Sequence, residues 1–155
     1  MAITCTLAGG AYSEWASSVQ MTLVNCVAGR LIGMSSNKQN ATAAPTASEL
    51  TTTNTGTVTQ AVENHGASAT QIAWALVTAN GNVQITYTPP STGTIMVTGA
   101  EYSGANTTSP VAATANANGY NTSPATGNIV VASGNAAYQG VAASGHEAST
   151  ISRDA

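Results

Sequence analysis

The sequence predicts an all-β protein, an antiparallel β-sandwich of the Ig-like or jelly-roll type with extended N- and C-terminal arms. Apolar and polar side chains alternate with period two along most of the chain, which is typical of strands with one buried face. Clusters of Gly, Asn, Pro and Ser divide the chain into about nine or ten such runs, as in a sandwich. The 43% hydrophobic content and net charge of −3 favour a packed core over disorder.

The N-terminal half contains four strand candidates, separated by residues that favour turns. They are Ile3–Leu7, Val19–Val27, Arg30–Met34 and Thr57–Val62. Ser13–Gln20 is also compatible with a short helix. Ser36–Leu50 is the most loop-like interior stretch, and Thr51–Thr59 is either a loop or an edge strand.

The middle of the chain carries the clearest hairpin signal. A strand over Thr70–Thr78 places Trp74 on one face together with Ile72 and Leu76, so we predict that Trp74 lies in the core. Asn80-Gly81 follows, and this pair favours a type I′ hairpin turn. The expected partner strand alternates Val83, Ile85 and Tyr87 against polar residues, and Pro89-Pro90 ends it because proline cannot donate to a ladder.

The next strand, Thr94–Tyr102, places a carboxylate among core residues. Ile95 and Val97 share a face, and strict alternation puts Glu101 on the same face. A buried carboxylate must be paired or hydrogen-bonded. We therefore predict that Glu101 has a structural role, in which it accepts backbone or hydroxyl hydrogen bonds that fix the Ser103–Pro110 loop.

We expect a single domain over residues 1–144, including an N-terminal arm over about 1–15, and a C-terminal tail over 145–155. Three further strand candidates complete the domain: Val111–Ala115, Asn128–Ala132 and Ala137–Ala143. The tail carries three of the chain's charges, which is typical of an extended arm.

The charged fraction, 6%, is far below the usual value of about 25% and excludes several classes of protein. The cations Arg30, Lys38 and Arg153 are too few and too dispersed for nucleic-acid binding. No apolar run is long enough for a membrane span. The N-terminus lacks the basic region of a signal peptide, so we expect a mature protein made in a cytoplasm. Cys5 and Cys26 are either reduced thiols or one bridge.

The titratable residues do not form a recognisable catalytic, cofactor or metal site, and we expect no enzyme activity. His65 and His146 lie near glutamates, but their spacing lacks the pattern of zinc ligands, so we interpret both as loop residues. Ser103 is not in a nucleophile elbow, and Cys26 has apolar neighbours that indicate an inert thiol.

Exposed aromatic and tail residues are the candidates for contacts with partners. Aromatic side chains suit either a protein interface or a sugar-stacking platform, and the sequence leaves both open. The structural and interface candidates are Glu101, Tyr12, Trp15, Tyr120, Tyr138, His146, Glu147 and Arg153.

Residues 70–143 resemble a β-sandwich module that recurs in phage structural proteins and in bacterial surface or secreted proteins. The resemblance rests on the strand ending A-E-Y-S-G (Ala100–Gly104), the turn Thr108–Pro110 and the T-S-P-x-x-G turn over Thr122–Gly127. Such modules commonly continue with a further strand, for which this chain has only a short polar tail. A neighbouring subunit could supply that strand.

The resemblance implies a structural virion protein, made in the host cytoplasm and located on the outer capsid surface. We expect a phage capsid decoration, or cement, protein that stabilises the shell. Its expected partners are the major capsid protein and copies of itself, as a trimer rather than a dimer, with no nucleic acid and no membrane. The alternative is a carbohydrate-binding or adhesion module on a virion or cell surface, with host glycans as ligands.

Overall fold

A computed structural model of the protein describes residues 3–66, 68–111 and 113–114, and this part of the chain is all-β, as predicted. Its one short helical element is the 3₁₀ turn Ala47–Glu49. The strands are β1 (Thr4–Ala16), β2 (Val19–Cys26), β3 (Leu31–Gln39), β4 (Leu50–Thr52), β5 (Thr59–His65), β6 (Ser68–Leu76), β7 (Gly81–Tyr87) and β8 (Gly93–Ser103).

The strands form two antiparallel sheets that share one core, an arrangement like a β-sandwich. The larger sheet has the order β1-β8-β3-β6-β5, and the smaller one has the order β2-β7-β4. Side chains from both sheets meet between them, including Ile32, Val97, Met21 and Ile85. Among strands consecutive in the chain, only β5 and β6 are neighbours in one sheet, so the chain otherwise crosses from sheet to sheet.

The prediction of a β-hairpin at Asn80-Gly81 is wrong. β6 pairs with β3 and β5, whereas β7 pairs with β2 and β4, so this turn carries the chain from one sheet to the other. Gly81 has φ +136°, but Asn80 does not have positive φ, and a type I′ turn needs it at both residues. The Asn80 side chain instead accepts a 2.8 Å hydrogen bond from the Ala28 N–H.

The core position predicted for Trp74 is also wrong, because β6 turns its other face inward. The strand alternates as expected, but its buried residues are Ala69, Gln71, Ala73 and Ala75. Ile72, Trp74 and Leu76 are partly exposed on the opposite face. Period-two alternation locates the two faces but does not decide which one is inside when both carry apolar residues.

The strands β7 and β8 match the predicted faces. Val83, Ile85 and Tyr87 are buried on β7, and Ile95 and Val97 are buried on β8.

Several predicted boundaries need correction. Ser13–Gln20 is not a helix, since it holds the end of β1 and the start of β2. β3 continues to Gln39, so the first residues of the expected Ser36–Leu50 loop belong to a central strand, and Leu50–Thr52 is an edge strand.

The structure describes most of the expected N-terminal arm but little of the expected C-terminal strands. Residues 4–15 of the region expected to be the N-terminal arm belong to β1, which pairs with β8. Residues 111, 113 and 114 are not in a strand. The candidates Asn128–Ala132 and Ala137–Ala143, and the tail 145–155, lie outside the described residues.

Candidate interaction surface

The edge strands β1 and β2 form one side of the two sheets and carry most of the exposed apolar side chains. Among the described strands, each is the terminal one of its sheet, and residues 17 and 18 join them. We call the exposed residues of both strands, together with Val27 just after β2, the β1–β2 side. Four of the five large hydrophobic residues that are exposed in the described part of the chain lie here: Tyr12, Trp15, Val24 and Val27.

Trp15 is the most exposed of these residues, at 81%, and its backbone is unusual. The pairing of β1 with β8 shifts register between Ser13 and Ala16, and Trp15 within this bulge has φ +51°. A bulky residue rarely adopts positive φ, and bulges of this kind re-aim side chains. The chain therefore holds a large apolar ring in solvent at the end of an edge strand, although burial of that ring would be favourable.

Tyr12 and Glu14 lie beside Trp15 and form a polar link. The Tyr12 hydroxyl donates a 2.8 Å hydrogen bond to Glu14 Oε1. This hydrogen bond, with smaller contributions from desolvation and the glutamate charge, raises the pKa of Tyr12. The end of β1 thus presents two aromatic rings and one carboxylate, a combination that suits a protein interface or a sugar.

Val24 and Val27 complete the surface, and neither was among the predicted interface residues. They are the apolar neighbours from which we predicted an inert, buried Cys26, yet Val24 itself is 53% exposed. Alternation from the buried Met21 and Leu23 puts Val24 outside, and Asn25 with φ +59° then turns Cys26 inward. The alternation along β2 could have predicted that Val24 is exposed. Nothing in the sequence indicated the irregularity at Asn25.

Glu101 lies beneath this surface and holds its parts together. The side chain is completely buried, and its carboxylate accepts hydrogen bonds from the Thr6 hydroxyl, the Val27 N–H at 2.7 Å and Arg30 Nη1 at 2.9 Å. These partners belong to β1 and to the turn after β2. The expected partner, the Ser103–Pro110 loop, is instead linked internally, since Asn106 accepts from two of its N–H groups.

The charge of Glu101 is favoured despite its burial. Desolvation raises the pKa, but the hydrogen bonds from Thr6, Val27 and Arg30 and the positive charge of Arg30 outweigh it, so the pKa is lowered. The salt bridge reaches solvent on one side, because the Arg30 side chain is 33% exposed. Glu101 is therefore an ionised structural anchor for the start of β1 and for Val27.

The two cysteines are free thiols, so the bridge considered as an alternative is not formed. Cys5 is exposed and Cys26 is buried. Burial, followed by the nearby charge of Glu101, raises the pKa of the Cys26 thiol. A buried thiol of this kind is a poor nucleophile.

The remaining candidates are separated from this surface or lie outside the described residues. His65 was expected in a loop, but it is part of β5, at the opposite edge of the larger sheet. No group of three or more His, Cys, Asp or Glu side chains in the described ranges could hold a metal ion. The candidates outside these ranges are Tyr120, Tyr138, His146, Glu147 and Arg153.

Comparison with family models, with curated proteins and with solved structures finds no match for this chain. In the part of the chain that the structure describes, no helix has the length and apolar character needed to cross a membrane.

Proposed function

We propose that the protein is a structural virion component, a capsid decoration or cement protein that binds the outer surface of a phage shell and stabilises it. The observation that carries the proposal is the β1–β2 side, where exposed apolar side chains and two edge strands occur together. Exposed apolar side chains and open strand edges favour association with a protein neighbour. The assignment to a capsid draws on the resemblance of residues 70–143 to modules of phage structural proteins.

The proposal includes the partners and the finer fold type. The major capsid protein and copies of this chain are the partners, and the two sheets are an Ig-like or jelly-roll sandwich. The low charge supports crowding among identical subunits, because copies with a net charge of −3 repel one another only weakly.

Binding to undecorated capsids of the phage that encodes this chain tests the proposal. We expect saturable co-sedimentation and a higher temperature of capsid disruption. Trp15→Ala should weaken binding by about tenfold, a typical loss for an exposed aromatic anchor. Thr57→Ala, an exposed change outside the β1–β2 side, is the matched control. Failure to bind, together with absence of the protein from purified virions by mass spectrometry, would remove the proposal.

A second candidate function is carbohydrate binding, and the Tyr12–Glu14–Trp15 group favours it. Aromatic faces stack on sugar rings, and a carboxylate accepts hydrogen bonds from sugar hydroxyls. A glycan array comparing the native protein with Trp15→Ala and Glu14→Gln tests this function. Binding to a defined glycan that both changes abolish would support it, and an array without binding would exclude it.

A further inference from the structure

We propose that the open edge of β1 pairs with β1 of a second copy of this chain, antiparallel and around a two-fold axis. The inference rests on the proposed function, in which the protein works among protein neighbours, and it identifies the surface and the partner. Pairing of this kind joins two five-stranded sheets into one continuous sheet of ten strands.

Among the described strands, none pairs with the edge of β1 that faces away from β8, and this is the edge proposed for the pairing. The described strand neighbour of β1 is β8, which is itself flanked on the other side by β3. Ala8, Gly9 and Gly10 in the middle of β1 are exposed. The backbone N–H and C=O groups along the outer edge are therefore a template for another strand.

Between its two register shifts, this edge lacks the features by which proteins block unwanted pairing. Residues 7–13 include no charged residue and no proline, and their register with β8 is regular, whereas the register shifts at Cys5/Leu7 and at Ser13/Ala16. The other edges of the described sheets have shorter regular stretches. β5 carries Glu63 and a register shift, β4 has three residues, and the register of β2 shifts after Leu23. Natural edge strands use such charges, bulges and shortness as protection.

The position of Glu14 favours an antiparallel arrangement. It is the one charged residue in β1 and β2. A parallel pair would place the two Glu14 carboxylates side by side, which costs about 1 kcal/mol at 4 Å even in water. An antiparallel pair centred on Gly10, the midpoint of the regular stretch, separates them by about 27 Å and places each opposite Thr6. That distance exceeds the Debye length of about 8 Å.

Trp15 fits the same register. In a pair centred on Gly10 it lies opposite Cys5 of the second copy, which is exposed in the single chain. The bulge ends the regular ladder just after Ser13 and holds Trp15 at the end of the shared stretch. Each indole can then cover the start of the second β1 strand. The contact is self-complementary and closes with two copies, so the inference replaces the expected trimer by a dimer.

Light scattering across a dilution series tests the pairing. We expect a dimer mass that falls toward the monomer on dilution. Ala8→Lys should weaken the dimer by about tenfold or more, because it places an ammonium group in the paired stretch. Thr59→Lys adds the same charge at an exposed position of β5 and should leave the dimer unchanged. Equal melting temperatures of the two variants show that the loss of dimer is not a loss of fold.

Hydrogen exchange of the native protein provides a second measurement if Ala8→Lys does not fold. We expect the amides of residues 7–13 that point away from β8, every second one, to gain protection at concentrations where the dimer forms. A monomer or trimer at every concentration, equal association of both lysine variants, or protection independent of concentration would each overturn the pairing. Capsid co-sedimentation of the native protein is scored separately, so failure of the proposed function is distinguishable from failure of the dimer.

Discussion

Glu101 is a residue whose burial depends on neighbours that are distant in sequence. Alternation along β8 predicts its inward position, because Ile95 and Val97 precede it at even spacing. Its partners Thr6, Val27 and Arg30 come from other elements, and only the tertiary fold brings them together. The sequence therefore predicted the buried carboxylate but not which segments it anchors.

Replacement of Glu101 by alanine should destabilise the protein strongly. The change leaves the Val27 N–H without its acceptor and Arg30 without its counter-ion, and we expect a loss of about 3 kcal/mol in unfolding free energy. The melting temperature should fall by about 10 °C. Calorimetry of Glu101→Ala measures this, with Glu14→Ala at the surface as a control that changes little. An unchanged melting curve for Glu101→Ala would contradict the anchoring role.

The lowered pKa of Glu101 predicts a dependence of stability on pH. Because the folded-state pKa lies below the ordinary value of 4.5, the contribution is complete above pH 4.5 and is lost as pH falls through the folded-state pKa. The slope from this one group is at most about 1.4 kcal/mol per pH unit. Urea unfolding of the native protein and of Glu101→Gln at several acidic pH values isolates the contribution of the Glu101 charge. The difference in unfolding free energy between the two proteins should shrink as pH falls. A difference constant with pH would argue against an ionised Glu101.

At the scale of the elements, close packing of the two sheets limits which residue fits at one position of β8. A Cβ added at Gly99 would overlap Ile85 Cδ1 on β7 and lie 3.5 Å from Met21 on β2. Glycine at this position therefore permits close contact between the larger and the smaller sheet.

Gly99→Ala should consequently cost about 1–3 kcal/mol of unfolding free energy through overpacking. Gly56→Ala is the matched control, since the nearest atom to its added Cβ is 3.9 Å away. Combining Gly99→Ala with Ile85→Val removes the overlapping methyl and should recover part of the loss. Chemical denaturation measures all three variants. Equal stability of the Gly99 and Gly56 variants would show that the sheets can separate at little cost.

The sequence predicted the inward face correctly in strands whose large apolar side chains lie mostly on one face. In β7 one face is apolar and the other polar, and in β8 the inner face carries Ile95 and Val97 while the outer face mixes Met96 with threonines, so both period and direction were predicted correctly. In β6 both faces carry apolar residues, and the alanine face packs inward although Trp74 is larger. The turn at Asn80-Gly81 has strong local preferences, but these do not specify whether the next strand joins the same sheet.

The candidate surface was also predictable only in part. Tyr12 and Trp15 were identified as aromatics able to be exposed, and both are exposed. The bulge that aims Trp15 outward depends on the register with β8, a strand about 80 residues away in the chain. Local sequence carries no signal for such an irregularity.

At the scale of the whole molecule, the β1–β2 side exposes few of the charges of the described residues. Glu101 and Lys38 are buried, and Glu14 is the one charge in the two strands that form this side. Association through it therefore relies on apolar contact and backbone hydrogen bonds. Neither is screened by salt in the way that surface ion pairs are.

Binding to capsids should accordingly be nearly independent of ionic strength. We expect the dissociation constant to change by less than about threefold between about 0.05 M and about 0.5 M NaCl, a range over which surface ion pairs weaken markedly. Co-sedimentation at several salt concentrations measures it. A chain lacking residues 145–155 is a useful control, because it loses Glu147, Arg153 and Asp154 but keeps both edge strands. If binding weakens steeply with salt in the full chain and not in the shortened one, the contact is made by the charged tail. The β1–β2 side would then lose its proposed role.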